Sequence, residues 1–323
     1  MMNFEEVLSL VEQKIADIRY PRQPSRLYDP IAYLLAMKGK KIRPALTLLA
    51  CNLYKDDVRD AVNMALAWEI FHNFTLMHDD VMDKADVRRG EPAVHKKWNE
   101  NTAILSGDAM LILAYKYLAK SPTAHLKDLL DLFSTTAAEI CEGQEYDMQF
   151  ETRLNVREEE YLDMIRLKTA VLLGAALKSG ALLGGADSQD RNLLYDFGVN
   201  IGIAFQIQDD LLDVYGDQAV FGKKIGGDIL CNKKTYLLVN ALNTDNEQDK
   251  AELLHWLETD DRPEEKIAAV TALYNKLLLK EKAQTLMDAY FKTAMRSLVD
   301  LSVPNENKTV LKTLAQELMN RQS

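Results

Sequence analysis

Residues that break helices are scarce in this chain. Of its 323 residues, only 14 are glycine and 8 are proline, so long stretches contain nothing that disfavours an α-helix. Runs of β-branched residues are short, and no segment alternates apolar and polar residues for long enough to predict a strand. Because 47% of the residues are hydrophobic, the chain can bury a large core, and the composition predicts an all-α protein.

Positive charge is also in short supply. The chain has 39 lysines and arginines against 49 aspartates and glutamates, which gives a formal net charge of −10. A nucleic-acid-binding protein needs a basic surface, so we expect no nucleic-acid partner. Small anionic ligands remain compatible with this charge, because a few cations and metal ions can gather around them.

Cysteines and membrane signals are few. Cys51, Cys141 and Cys231 are odd in number, far apart and outside any CxxC pair, which argues against disulfides or a zinc site. The first residues include acidic side chains in place of an apolar signal core. The most apolar run, Val171–Gly185, is interrupted by Lys178 and is short for a bilayer span. We therefore expect a cytoplasmic protein without a stable membrane anchor.

The apolar periodicity predicts one domain, residues 1–323, built from helices. Pro21, Pro24 and Pro30 mark a turn-rich connection, residues 84–92 a loop, and residues 244–265 a surface loop with a short helix. The predicted helices are Asn3–Ile18, Ile31–Met37, Pro44–Tyr54, Val58–Val81, Asn101–Lys120, His125–Phe150, Glu158–Leu183, Ser188–Val214, Lys234–Asn243, Pro263–Val299 (with a break) and Asn307–Met319.

One short acidic motif, DDxxD, occurs twice. It reads Asp79-Asp80-Val81-Met82-Asp83 and again Asp209-Asp210-Leu211-Leu212-Asp213, each time near the end of an apolar predicted helix. The outer aspartates are four residues apart and so share one helix face, where their repulsion costs an isolated helix about 0.2–0.5 kcal/mol. Carboxylates set in apolar sequence need compensating cations. Oxygen ligands on one face suit Mg²⁺, which takes one or two carboxylates together with water and phosphate oxygens.

Basic residues follow both motifs and precede the first. A diphosphate site needs cations and hydrogen-bond donors besides metal, and a loop that starts a helix also favours anions. The candidate segments are GKKIRP (39–44), RRG (88–90), KT (168–169), GKKIGGD (222–228) and NKKT (232–235).

Together these segments resemble the trans-prenyltransferase family, which includes farnesyl and geranylgeranyl diphosphate synthases. The matching elements occur in the family's order over residues 35–240. They are GKKIRP, HDDVMDKADVRRG, the GD at 107–108, GQEYD at 143–147, the KT at 168–169, FQIQDDLLD at 205–213, GKKIGGD and NKKT. The resemblance implies an isoprenoid synthase fold, a single large helical bundle around a deep central cavity with both acidic motifs at its mouth. It also implies a homodimer.

The resemblance further implies the substrates and the metal. The substrates are isopentenyl diphosphate and an allylic diphosphate, and the cofactor is Mg²⁺, with three ions expected around a bound diphosphate and Mn²⁺ accepted in its place. Asp79, Asp83 and Asp209 are the implied principal ligands. Supporting carboxylates, acting directly or through water, are Asp80, Asp210 and Asp213.

Two sets of basic and polar residues are implied to bind the substrates. Arg88, Lys168, Lys223 and Lys233 would hold the allylic diphosphate, while Thr169 and Gln206 would stabilise the allylic cation. Lys40, Arg43, His72 and Arg89 would hold isopentenyl diphosphate. His72 lies seven residues before Asp79, hence on roughly the same helix face. Lys224 stays an alternative to Lys223, and Lys233 is preferred to Lys234.

Product length is expected to depend on Phe74 and Thr75, which precede Asp79 by five and four residues. A lone aromatic residue at the fifth position resembles synthases of a twenty-carbon product. We therefore expect geranylgeranyl diphosphate, with farnesyl diphosphate as the alternative. Two other functions are weighed against these: a terpene cyclase, which usually has one DDxxD motif, and a non-catalytic helical scaffold, which would lack some of these carboxylates or cations.

Overall fold

Helices make up most of the computed structural model, which describes residues 2–216 and 225–319. The first helices are α1 (Phe4–Ala16), α2 (Ser25–Ala36), α3 (Ile42–Asn52), α4 (Arg59–Met82), α5 (Val94–Lys97), α6 (Glu100–Leu118), α7 (Leu126–Glu151), α8 (Glu158–Ile165), α9 (Val171–Gly184) and α10 (Ser188–Tyr215). They are followed by α11 (Gly227–Leu230), α12 (Tyr236–Leu242), α13 (Glu247–Leu257), α14 (Pro263–Lys276), α15 (Leu279–Val299) and α16 (Asn305–Met319). The all-α prediction is confirmed.

The chain forms two compact units. Unit 1 comprises Met1–Ser134, Ala175–Leu194 and Ser302–Val310, and unit 2 comprises Thr135–Gly174, Tyr195–Leu301 and Leu311–Ser323. Each unit has its own buried core.

Helix α4 is the centre of unit 1. Trp68 and Phe71 on this helix are fully buried, and Trp68 stacks on Phe133 at 4.8 Å between ring centroids. Because a buried indole N–H needs an acceptor, Trp68 donates to Ser179 Oγ at 2.9 Å. This packing fixes the helix whose last turn contains the first acidic motif.

Unit 2 is organised around α12, whose apolar residues are almost all buried. Its N-cap is Thr235, whose hydroxyl accepts from the Leu238 backbone N–H, a favourable arrangement for a helix start. Tyr161 and Tyr274 belong to the same apolar cluster. The second acidic motif, near the end of α10, is built on this core.

Some sequence predictions of secondary structure were wrong in detail. Pro30 lies inside α2, not in a turn, since α2 begins at Ser25. The loop after α4 contains a two-stranded hairpin of two residues each, with Val87 opposite Pro92. Residues 244–265, by contrast, contain the predicted short helix, which is α13. The predicted break in the Pro263–Val299 helix is confirmed near Leu278, which has a left-handed backbone (φ 54°).

One helical stretch, Glu158–Gly184, is long and apolar enough to cross a membrane. The apolar run seen in the sequence is therefore only part of a longer helix. In the structure, 78% of its most apolar window is buried, and a core helix of a non-membrane protein has the same properties.

Candidate active site

The first acidic motif forms the end of α4, and its aspartates have different surroundings. Asp79 is partly buried and Asp83 is exposed, whereas Asp80 is almost fully buried. Asp80 accepts hydrogen bonds from Arg88 Nε at 3.0 and 3.2 Å, and the Arg88 NH2 group also donates to it. Such forked, charge-assisted bonding fixes both side chains. Asp80 is therefore an anchor within the protein, and it draws the Arg88 loop against the motif.

A buried polar network includes Glu69 and Asn73, which lie on α4 about two to three turns before the first acidic motif. Lys41 Nζ is 3.0 Å from Glu69 Oε1, and both side chains are at most 5% exposed. Asn73 Nδ2 donates to the same Glu69 oxygen at 2.9 Å, and Arg89 donates to Asn73 Oδ1 at 3.4 Å. The sequence reasoning missed Lys41, Glu69 and Asn73 as the residues that position this region.

Arg43 and His72 form the adjoining polar pair. Arg43 NH1 is 3.1 Å from His72 Nε2. Burial, reinforced by Arg43 and Arg89, lowers the pKa of His72 well below 6.5, so its ring is neutral at neutral pH and Nε2 accepts the bond. Burial also lowers the pKa of Arg43, to about 10, which leaves the guanidinium charged.

Two features of this region suit an incoming anion. Arg43 Nε is buried and has no hydrogen-bond partner within the described residues, and such a donor calls for a ligand. Gly39 allows the close approach of Arg89, since a Cβ at this position would lie 2.9 Å from the Arg89 guanidinium carbon. Of the residues predicted to bind isopentenyl diphosphate, Arg43, His72 and Arg89 belong to unit 1's polar region, and Lys40 is exposed on the loop beside it.

The second acidic motif repeats the pattern of the first. Its middle aspartate, Asp210, is 3% exposed and accepts from the Tyr161 hydroxyl at 2.5 Å and the Tyr236 N–H at 2.8 Å. Burial raises the pKa of Asp210 to about 7, opposed by these two donors and by Lys233. Asp209 and Asp213, the outer aspartates, are partly buried. Asp213 Oδ2 accepts from the Asp228 N–H at 2.9 Å.

Most residues predicted to act on the allylic substrate line one small cavity of unit 2, of about 60 Å³. Thr169 Oγ1 donates to Gln206 Oε1 at 3.4 Å, and Gln206 Nε2 donates to Asp210 at 3.4 Å. The cavity residues are Asp147, Tyr161, Met164, Ile165, Lys168, Thr169, Gln206, Asp210, Lys233, Lys234 and Thr235.

The two lysines of the NKKT segment have different environments. Lys234 is buried and its Nζ is 3.3 Å from the Glu151 carbonyl oxygen. Lys233 is exposed at the cavity, with its Nζ 3.6 Å from Asp228 Oδ1. These environments support Lys233 as the substrate-binding residue. Lys223 and Lys224 lie outside the described residues.

Lys168 and Thr169 belong to a π-helical segment, Arg166–Ala170, between α8 and α9. Such single-turn π segments are frequent at functional sites. Lys168 Nζ is 2.5 Å from Asp147 Oδ2, and Gly143 packs so closely on the Lys168 backbone that a Cβ would overlap it. Gly143 and Asp147, four residues apart in GQEYD, share one face of α7, but the sequence reasoning gave neither a role.

The carboxylates fit a hard divalent cation. Within residues 2–216 and 225–319, no three histidine, cysteine or acidic side chains converge into a complete metal cage. Mg²⁺ does not need one, because water and phosphate oxygens complete its octahedron. Each motif offers two outer carboxylates of the preferred oxygen type, held beside a middle aspartate that protein donors fix.

The predicted chain-length residues lie on α4 before the first motif. Phe74 is partly buried and contacts Phe71 at 5.6 Å and His78 at 4.8 Å between ring centroids. The Thr75 hydroxyl donates to the His72 carbonyl at 2.8 Å, so it is bonded to its own helix. Phe74 is thus the larger of the two side chains.

A mainly helical protein whose two DDxxD motifs are built alike, each near lysine or arginine side chains, has residues that suit a diphosphate bound through a divalent metal. Comparison with known proteins makes this specific. A sequence model of the polyprenyl synthetase family matches residues 24–276, and the chain belongs to that family.

Individual relatives agree with this assignment. The chain is 44% identical over 235 residues to a geranylgeranyl diphosphate synthase of Methanosarcina mazei, covering 72% of each chain. It is 35% identical over 331 residues to a geranylfarnesyl diphosphate synthase of Natronomonas pharaonis, covering 97% of this chain and 95% of the relative. A crystal structure of a geranylgeranyl pyrophosphate synthase superposes with a TM-score of 0.94 at 41% identity, covering 100% of both chains. The protein is a prenyltransferase with the isoprenoid synthase fold.

Proposed function

We propose that this prenyltransferase condenses isopentenyl diphosphate with an allylic diphosphate (dimethylallyl, geranyl or farnesyl) and that geranylgeranyl diphosphate is its main product. One observation carries the proposal: in both DDxxD motifs the middle aspartate is bonded to protein donors, Asp80 to Arg88 and Asp210 to Tyr161. A solvated acidic face has no need of such anchors. They hold each motif in shape, and Asp79, Asp83 and Asp209 are the proposed principal metal ligands.

Mg²⁺ is the proposed cofactor, with three ions bound beside the diphosphate and Mn²⁺ as a substitute. When bound, it supplies the positive charge that offsets the charge developing on the leaving diphosphate. Asp79, Asp83 and Asp209 would be its main ligands, supported by Asp80, Asp210 and Asp213. Because Asp80 and Asp210 accept bonds from Arg88 and Tyr161, their role is to hold the motifs in shape.

The cations of the protein bind and polarise the allylic substrate. Lys168, Lys233 and Arg88 neutralise its diphosphate, and Lys223 is proposed for the same role. After the carbon–oxygen bond breaks, the Thr169 and Gln206 side-chain oxygens stabilise the allylic cation through their dipoles.

Isopentenyl diphosphate is the proposed nucleophile. Arg43 offers it a charged guanidinium whose Nε has no hydrogen-bond partner among the residues that the structure describes. Lys40, His72 and Arg89 are the other residues proposed to bind its diphosphate. Its double bond attacks the allylic cation, and the released diphosphate takes the proton that is then lost, so no dedicated protein base is required.

The proposed twenty-carbon product rests on Phe74 and on the relatives. Growth of the isoprenoid chain stops where a bulky side chain closes the apolar cavity, and Phe74 is the bulky residue at the relevant position. Replacing Phe74 with Ala should therefore lengthen the product. Two relatives named above are called a geranylgeranyl and a geranylfarnesyl diphosphate synthase, and these names support a short-chain product.

We also propose that the protein is a homodimer. Leu105 and Ile112 on α6 are each 60% exposed and, seven residues apart, lie on one face of the helix. Exposed apolar groups of this kind mark an interaction surface. The cytoplasmic location and the lack of a membrane anchor stay predictions.

The proposal is tested by product analysis. The purified protein is incubated with isopentenyl diphosphate and each allylic primer in turn, with and without Mg²⁺, and the dephosphorylated products are separated by chromatography. We expect Mg²⁺-dependent elongation to geranylgeraniol, abolished by Asp79→Asn and by Asp209→Asn but not by Asp300→Asn, a surface control. Absence of elongation, or turnover of an allylic diphosphate that does not require isopentenyl diphosphate, would overturn it in favour of a cyclase or a scaffold.

A further inference from the structure

Three aromatic side chains follow one another along one face of α4. Phe71, Phe74 and His78 occur at i, i+3 and i+7, the spacing of neighbours on a helix surface. Phe74 meets Phe71 at 5.6 Å with a 47° angle between the rings and His78 at 4.8 Å with 67°. Phe71 is 1% exposed and fixed by the core, so a change in the position of His78 would alter the space open to the Phe74 ring.

His78 is itself held by α6. Its Nε2 is 3.0 Å from the Ile104 carbonyl oxygen, and because a carbonyl only accepts, Nε2 is the donor. One turn further along α6, Gly107 lies directly against the imidazole: a Cβ at this position would overlap Nε2 and Cδ2. The side chain of His78 is only 19% exposed. The hydrogen bond from Nε2 and the close approach of Gly107 to the same edge of the imidazole thus fix the ring.

This arrangement connects α6 to the Phe74 ring. A phenylalanine that is packed on both sides has few accessible rotamers, whereas one that loses a neighbour gains space in which to turn. The contact with His78 is edge-to-face, a favourable geometry for aromatic pairs. None of the roles given above to Asp79, Arg43 or His72 explains why residue 78 is an aromatic donor, nor why residue 107 lacks a side chain.

We propose that His78 is a specificity-determining positioning residue: held by Ile104 and Gly107, it fixes the ring of Phe74 and so sets the length of the isoprenoid product. The inference rests on the proposed function. It adds that the limit on chain growth is a side-chain assembly of two helices, so substitutions on α6 that never touch the substrate change the product.

The main test is the product distribution of His78→Ala and Gly107→Ala at saturating substrate. The first removes the support of Phe74, and the second pushes the imidazole out of its place without touching Phe74. Both should raise the ratio of longer to normal product roughly tenfold, the size of effect that one altered contact in an apolar pocket has on discrimination. The KM for isopentenyl diphosphate should stay unchanged, because Arg43 and His72 are not altered. Gly184→Ala, which crowds the Cys51 backbone instead, is the matched control and should keep the normal product.

A double variant distinguishes action through Phe74 from a direct effect. If His78 acts by holding Phe74, Phe74→Ala/His78→Ala should give the same products as Phe74→Ala alone. A double variant with still longer products, unchanged products in His78→Ala and Gly107→Ala, or the same shift in Gly184→Ala would each overturn the inference. If His78→Ala loses its helical circular dichroism, His78→Asn replaces it in the test. Asparagine keeps a hydrogen-bond donor but lacks the ring that contacts Phe74, so this variant should also give longer products. Failure of the wild-type protein to elongate any primer would refute the proposed function itself. That result differs from failure of this inference, in which the wild type elongates the primers but the variants keep its product length.

Discussion

The middle aspartate of each DDxxD motif is more deeply buried than the outer two and is held by donors within the protein. Asp80 is bonded to Arg88, and Asp210 to Tyr161 and the Tyr236 backbone. The outer aspartates share one helix face in each motif. At the scale of single residues, we therefore propose that Asp80 and Asp210 chiefly hold the motifs in shape, while Asp79, Asp83 and Asp209 are the principal metal ligands.

Replacing Asp80 with Asn tests this separation. The variant keeps the size of the side chain but removes the charge that Arg88 binds, so the motif loses its anchor. We expect the Mg²⁺ concentration needed for half-maximal activity to rise about 10–100-fold, the usual effect of changing a residue that supports a metal ligand. Magnesium titrations of activity measure it, with Asp300→Asn as the control. A wild-type Mg²⁺ curve would contradict the anchoring role.

His72 gives the site a pH-dependent stability. Its pKa in the folded protein lies well below 6.5 because of burial and the neighbouring cations, while in the unfolded chain it is about 6.5. Between these values the unfolded state binds the extra proton, so stability falls as the pH drops below about 6.5, by up to about 1.4 kcal/mol per pH unit. Denaturant midpoints at about pH 7 and pH 5.5 should differ less for His72→Gln than for the wild type. Equal differences would show that His72 is not the titrating group.

At the scale of elements, the positions of the helices can be predicted from the sequence much better than local departures from regular α-helix. Apolar periodicity placed α4 and α10, because a buried helix needs apolar residues at helical spacing. It did not reveal that Pro30 lies inside α2, nor the π segment at Arg166–Ala170, since both depend on tertiary packing that overrides local preference. The sequence motifs identified most charged residues of the candidate site. They did not identify Glu69, Asn73 and Tyr161, whose partners Lys41, Arg89 and Asp210 are distant in sequence.

The π segment predicts the effect of a small change on α7. Gly143→Ala would force a Cβ into the Lys168 backbone, so the segment must shift and displace Lys168 and Thr169. We expect a severe loss of kcat with normal helical content, because only the local turn has to move. Steady-state kinetics and circular dichroism measure it, with the exposed neighbour variant Glu142→Ala as control. A Gly143→Ala enzyme with wild-type kcat would show that the π segment does not position these residues.

The whole molecule combines two units, each with one acidic motif. We predict that two copies of the chain form a dimer. Leu105→Asp/Ile112→Asp places charges on the exposed apolar face of α6, where they would be buried and unpaired in an interface. We expect the double variant to sediment as a monomer and the wild type as a dimer in analytical ultracentrifugation. Val299→Asp, at an apolar position 65% exposed on another helix, should remain dimeric. An unchanged dimer in the double variant would exclude this face.

The central proposal is that binding of an allylic diphosphate requires Mg²⁺ and requires both Asp79 and Asp209. Calorimetric titration with a non-ionisable thio analogue of an allylic diphosphate tests it without turnover. The account predicts tight binding by the wild type only with Mg²⁺ present, and loss of that binding in Asp79→Asn and in Asp209→Asn alike. Binding that needs no metal, or that survives in either variant, would contradict it.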